Sequence, residues 1–174
     1  MYFLLISLFL FFGCQNQETL TELNELKAQI ELEQQNLALV EKFIGIWNSG
    51  EVEGFDEILD PQFKAYVPST TDEPMTLDMY KEWIQGVSRK FPDVQYEIKD
   101  IFASGDKVCL WWVVGATLPG VGPDGPDTGK RVSGGAIEIY TVKDGKILEE
   151  KIEMDELGLQ QQMGFILVPA EAAE

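Results

Sequence analysis

The chain has 174 residues, 45% hydrophobic and 11% aromatic, which is enough for one domain with a real core and too apolar for a disordered chain. Thirty acidic residues against thirteen basic ones leave a net charge of -17, which argues against nucleic acid or an anionic membrane surface as a partner, since both are bound mainly by cationic side chains. There is no histidine, and the two cysteines, Cys14 and Cys109, are too few for a cysteine-based zinc site, so no metal and no cofactor is expected.

Residues 1–13, MYFLLISLFLFFG, carry no charged side chain. The apolar run is about a dozen residues, short of the roughly 20 that a spanning helix needs, and it fits the apolar region of a signal peptide. The Gly13-Cys14 junction resembles a bacterial lipobox, in which a small residue precedes a cysteine that is acylated and becomes the new N-terminus. Phe11 stands where Leu is usual, and no Lys or Arg precedes the run. The expectation is lipidation at Cys14 and a mature chain held by lipid outside the cytoplasmic membrane, in the bacterial cell envelope.

From Glu18 the chain is rich in Glu, Gln and Leu, with no Gly or Pro before Gly45. Thr19 with Glu22 fits a capping box. Leu23, Ile30, Leu37 and Ile44 repeat every seven residues, and Leu26, Val40 and Trp47 add a second row broken by Glu33. One long helix is predicted from about residue 19 to Asn48, on the order of 45 Å, with Asn48-Ser49-Gly50 as its stop. Its first part, residues 14–35, reads as a helical spacer, either a solvated stalk or a short coiled coil; the domain follows over 36–167, with a tail at 168–174.

A short helix is expected at 55–59, a strand at 63–67, and a polar loop at 69–74. Thr76 caps a helix running to Lys90, with Leu77, Tyr80, Trp83, Ile84 and Val87 on its buried side. Strands follow at 94–103, 108–118, 130–142 and 146–154, joined by Ser104-Gly105-Asp106, a Gly- and Pro-rich loop at 119–128, and the type I′ signal Asp144-Gly145. The second of these strands is apolar on both faces, so both faces are expected to be covered, with Cys109 buried as a small hydrophobe. A closing helix is expected over 156–163. Helices, then a four-strand antiparallel meander, then a helix make an α+β fold with helices on one side of a curved sheet that can enclose a cavity.

Six strings in this order resemble the SnoaL-like polyketide cyclases (the ester cyclase family) of the NTF2-like, cystatin-like cone superfamily. They are Trp47-Asn48-Ser49-Gly50, Phe91-Pro92-Asp93-Val94, Gly105-Asp106-Lys107-Val108, Thr128-Gly129-Lys130-Arg131-Val132, Asp144-Gly145-Lys146-Ile147, and Asp155 followed by Leu157, Leu159, Gln161, Gln162, Met163 and Gly164. The likeness spans about Asn36 to Leu167. It implies cofactor-free acid–base chemistry (cyclase, isomerase or lyase type) on a small apolar substrate, with Asp155 as the acid and base. A carboxyl in an apolar cavity can have its pKa raised enough to serve as both.

The chain departs from these relatives where they carry histidine. Many have a His-Trp pair where Glu150-Lys151 stands, a histidine at the position of Tyr66, and another near residues 117–120. Asp155 can equally be the N-cap of the closing helix, since it precedes Glu156 and Leu157. Tyr66, Trp83, Trp112, Glu138, Tyr140 and Met154 are the candidate pocket residues. Glu149, Glu150 and Glu153 read as a solvated edge paired with Lys151, not as a metal site. Two alternatives stand beside the enzyme: the same pocket binding a small apolar or aromatic molecule without changing it, or a homodimeric interaction module.

Overall fold

The computed structural model describes residues 3–67, 73–118, 129–166 and 168, with the backbone alone for 3–16 and 18. Cleavage of the leader, the Cys14 side chain, most of the polar loop after Val67, the Gly- and Pro-rich loop at 119–128 and the tail at 169–174 lie outside the described residues.

The long helix α1 is Phe3–Ser49, starting earlier than the capping box suggests. A 3₁₀ turn, Val52–Gly54, leads into α2, Phe55–Ile58. Strand β1 is Leu59–Tyr66, β2 is Met75–Thr76, and α3 is Leu77–Lys90, with the Thr76 hydroxyl accepting from the Met79 N–H as its cap. The meander comprises β3 (Gln95–Ser104), β4 (Lys107–Thr117), β5 (Arg131–Lys143) and β6 (Lys146–Met154), and α4 (Glu156–Gln162) closes the fold. Asp144 and Gly145 both adopt positive φ, 51° and 74°, as a type I′ turn requires.

The sheet has the order β2-β1-β6-β5-β4-β3. The antiparallel meander is as expected, but the first strand was not placed by the sequence pattern: β1 pairs parallel to β6 and carries β2 on its free edge. A two-layer α+β fold results, with α1 and α3 on the concave face of the sheet. Val40, Phe43, Ile44 and Trp47 of α1, Tyr80 and Ile84 of α3, and Phe63, Leu110, Trp112, Tyr140 and Ile147 of the sheet meet in one core.

Polar side chains of α1 hold it to the sheet through backbone. Glu33 accepts from the Gly105 N–H at 2.9 Å, and Asn36, itself buried, donates to the Gly105 carbonyl at 2.9 Å. Asn48 accepts from the Tyr96 N–H at 2.7 Å and donates to the Tyr96 carbonyl at 3.0 Å. Strand β3 is an edge strand, and Asn48 gives one residue of that edge the two bonds a further strand would give. Docking therefore begins at Glu33. Before it, Leu20, Leu23, Leu26, Ile30 and Leu32 are exposed along α1.

The outer face corrects one expectation. Strand β4 is apolar on both sides, but no element of the described chain covers its outside. Trp111 is half exposed and Cys109 is only partly buried. Phe102 of β3 and Ile137 and Ile139 of β5 are exposed on the same face.

Replacing Asn48 with Ala leaves the Tyr96 N–H and C=O without partners. Urea unfolding should show a loss of about 1–3 kcal/mol; a loss under about 0.5 kcal/mol would mean that water takes over this edge.

Candidate functional site

A cavity of about 190 Å³ lies between α1, α3, α4 and the sheet. Trp47 of α1, Trp83 and Val87 of α3, Tyr96 of β3, Trp112, Val114 and Ala116 of β4, Val132 of β5 and Ile152 and Met154 of β6 contribute to its walls. Leu159 and Met163 of α4 also reach it. Gly134 lets the helix come close: a Cβ there would stand 2.8 Å from Leu159 Cγ, so a larger residue forces the Leu159 side chain to shift. Asp93 ties the start of β3 to the end of β4 beside this region. Its carboxylate accepts from the Thr117 hydroxyl at 2.6 Å, the Thr117 N–H at 3.0 Å and Arg131 at 3.1 Å, bonds that hold its carboxyl below the usual carboxylate range.

Edge-to-face packing fixes the aromatic walls. Trp47 lies 4.6 Å from Tyr96 and 5.3 Å from Trp83, both T-shaped, and Tyr96 lies 5.2 Å from Trp112 in the same manner. These are separations at which aromatic pairs attract beyond simple burial.

Of the expected pocket residues, Trp83, Trp112 and Met154 line the cavity. Glu138 and Tyr140 are buried deeper, beneath the wall. Tyr66 is elsewhere: in β1, Phe63, Ala65 and Val67 face the core, so strand alternation turns Tyr66 outward, where its ring meets Lys151 at 5.5 Å. Asp155 is exposed and is not among the cavity residues. Its carboxylate accepts from the Gly158 N–H at 2.8 Å as the N-cap of α4.

Beneath the aromatic wall lies a feature that the sequence reading missed. Glu150 is wholly buried, not solvated, and Glu138 is 1% exposed. Lys151 does pair with Glu149, at 2.5 Å, but on the other face of β6. Tyr140 pairs with Glu150 across β5 and β6, and Glu138 pairs with Ile152, so the two carboxyls are diagonal neighbours on the inner face. The Tyr140 hydroxyl donates to Glu138. Trp47 Nε1 donates to the Tyr80 hydroxyl at 3.0 Å, which leaves the Tyr80 proton facing Glu150. Neither Glu150 oxygen completes a hydrogen bond, and Trp112 Nε1 faces Glu138 without closing one.

Burial favours the neutral acid in both carboxyls. It pushes Glu150 up to about 8. Glu138 lies well above its ordinary value, through burial first and then the charge of Glu150. Burial also raises both Tyr80 and Tyr96 above the usual tyrosine range. Alternation along β6 was the available signal for Glu150, since it shares parity with Ile152 and opposes Glu149 and Glu153.

The family model for SnoaL-like polyketide cyclases matches residues 38–163. No curated protein sequence matches the chain. Among solved structures, TsrD from Streptomyces laurentii is 26% identical with a TM-score of 0.62, covering 74% of this chain and 94% of TsrD. AclR from Streptomyces galilaeus, a candidate hydroxylase, is 27% identical with a TM-score of 0.67, over 80% of this chain and 91% of AclR. IdmH from Streptomyces antibioticus, a candidate polyketide cyclase, is 23% identical with a TM-score of 0.67, over 75% of this chain and 99% of IdmH.

A carboxyl with a raised pKa in the folded state keeps a proton that the unfolded chain releases, so its stability contribution falls as pH rises from about 4.5 to about 8 and then levels off. Glu150→Gln should therefore raise stability near pH 8 by on the order of 2–4 kcal/mol and leave it unchanged below pH 4.5. Thermal unfolding across pH reads this directly; parallel wild-type and variant curves would place an ordinary, solvated carboxylate at Glu150.

Proposed function

The chain belongs to the SnoaL-like polyketide cyclase family, and from that premise we propose that it converts a small apolar or aromatic molecule in this cavity by acid–base chemistry, without a cofactor. The observation that carries this reading is the cavity itself: almost wholly apolar walls built from three tryptophans and a tyrosine, with titratable groups packed directly behind them. Such a site desolvates a ligand and shifts the pKa of nearby groups, which are the two requirements for proton transfer at neutral pH. The reaction is of the cyclase, isomerase or lyase type. The domain works in the bacterial envelope, held outside the cytoplasmic membrane by a lipid on Cys14, so its substrate is one met outside the cytoplasm. Replacing Cys14 with Ser should release the protein from the membrane fraction and stop incorporation of radiolabelled fatty acid; unchanged labelling would remove the anchor.

One observation favours the non-catalytic alternative, a pocket that only holds its ligand: Asp155, the acid–base residue implied by the family, is exposed and serves as a helix cap. Another favours a homodimer. Phe102 and Ile139 both pair with Cys109, and Trp111 pairs with Ile137, so the exposed apolar side chains form one continuous patch across β3, β4 and β5. A second copy is the occupant this patch suits, and Trp111→Lys with Ile139→Lys should turn a sedimenting dimer into a monomer.

The reading is tested by incubating residues 15–174 with a metabolite extract and recovering retained small molecules by native mass spectrometry. Wild type should retain an apolar compound. Ala116→Phe, which fills the cavity at a cost of about 1–3 kcal/mol, should retain none while keeping its circular dichroism. Equal retention by both would place the ligand elsewhere, and conversion of the retained compound over time separates an enzyme from a binding module.

A further inference from the structure

We propose that Glu138 and Glu150 form a dyad sharing one proton, and that this dyad, not Asp155, does the acid–base work on a neutral carbonyl compound held in the cavity. The inference rests on the cavity being a ligand site, and it names the chemistry of that site.

The geometry assembles the pair beneath the cavity. Glu138 is the register partner of Ile152, a cavity residue, and it faces Nε1 of Trp112, whose side chain also forms part of the wall. Trp112 is thus the partition between ligand and dyad. Its Nε1 has no hydrogen bond to fix it. Trp112 packs edge to face on Tyr96 and is almost wholly buried, so a substrate carbonyl reaches the carboxyls only where that ring shifts.

The fold gains nothing evident from the pair. A buried acceptor left without a donor costs about 1–3 kcal/mol, and both Glu150 oxygens are in that state. Aliphatic side chains would fill the same space at no such cost. Tyr80 and Glu138 face Glu150, yet neither of its oxygens closes a hydrogen bond, which leaves bonding capacity for a further partner. The titratable groups that face the pair are Tyr80 from α3, Tyr96 from β3 and Tyr140 from β5, all hydroxyls. No lysine or arginine is among the groups that shift either carboxyl.

Two carboxyls this close and this buried do not both ionise, so one is an acid and the other a base in the same site. The ionised carboxylate removes a proton from the carbon next to the substrate carbonyl. The C–H electron pair becomes the new C=C bond, and the C=O π pair moves to oxygen. The protonated carboxyl gives its proton to that oxygen. One proton enters the dyad and one leaves, so the product is the enol and no oxidant or co-reactant takes part. The class of substrate is therefore a neutral ketone or aldehyde with an acidic neighbouring C–H. An anionic acid is disfavoured by the carboxyls and by the net charge of -17.

Deuterium exchange at the C–H next to the carbonyl of beta-tetralone, followed by NMR in heavy water, tests the step without knowledge of the natural substrate. Tryptophan fluorescence reports its binding in parallel. Wild type should accelerate exchange with a bell-shaped pH profile, falling when the shared proton is lost and when the second carboxyl gains one. Glu138→Gln and Glu150→Gln should each slow it by about 100-fold or more while still binding the ketone, and their melting curves show that they are folded. Exchange that survives both substitutions and falls in Asp155→Asn overturns the assignment. Binding by wild type without any exchange also overturns it and leaves the cavity reading intact. Failure to bind, together with no ligand retained from the extract, removes the cavity reading and this inference with it.

Discussion

The position of α1 over the sheet governs the rest of the molecule, and Asn48 sets it. The side chain gives the N–H and C=O of Tyr96 on edge strand β3 the two bonds that a neighbouring strand would give. An amide can do this because it has a donor and an acceptor on one rigid plane. The residue before it, Trp47, is thereby held against Tyr96 and Trp83, and Tyr96 against Trp112. Those rings are the cavity walls. Glu33 and Asn36, three turns and more earlier, grip the β3–β4 turn at Gly105 and keep the helix axis from swinging about that point.

Strand β5 is built against the usual polarity of a sheet. Its isoleucines, Ile137 and Ile139, face solvent, while Glu138 is buried with Tyr140 beside it. A buried carboxyl and an exposed apolar patch are the two surface facts that most need explaining in any protein, and here they sit on consecutive residues. The outward isoleucines suit a second copy of the chain. The inward glutamate, with Glu150 next to it, suits proton transfer behind an aromatic wall. Asp155 has a sufficient structural occupation as the cap of α4, and by holding that helix it sets Leu159 and Met163 at the cavity.

Most of the architecture was legible because it is written in local signals. Thr76 as a cap, Asp144-Gly145 as a turn and the period-two strands from Gln95 onward need only neighbouring residues to be read. The parallel pairing of β1 with β6 was not legible, because nothing near Leu59 encodes a partner so distant in the chain. The covering of β4 was misjudged for a similar reason. Apolar residues on both faces say that both are apolar, not that the same chain covers both. At the site, Trp83, Trp112 and Met154 line the cavity. Tyr66 lies outside this cavity because it opposes Phe63 and Ala65 in the alternation of β1. Glu150 was hidden by its neighbours: flanked by Glu149 and Lys151, it reads as surface until β6 is paired with β5 and Tyr140 falls opposite it.

The central claim is that two carboxyls beneath the aromatic wall titrate far above ordinary glutamates and share one proton between their two steps. It is most directly tested by carbon-13 NMR of the glutamate side-chain carboxyls across a pH titration, with Glu138→Gln and Glu150→Gln to assign the signals. The account predicts two resonances that titrate in separate steps above every other glutamate, the first near pH 8 with one proton shared between the steps, each removed or displaced by one substitution. A spectrum in which all glutamates titrate together in the ordinary carboxylate range would contradict it.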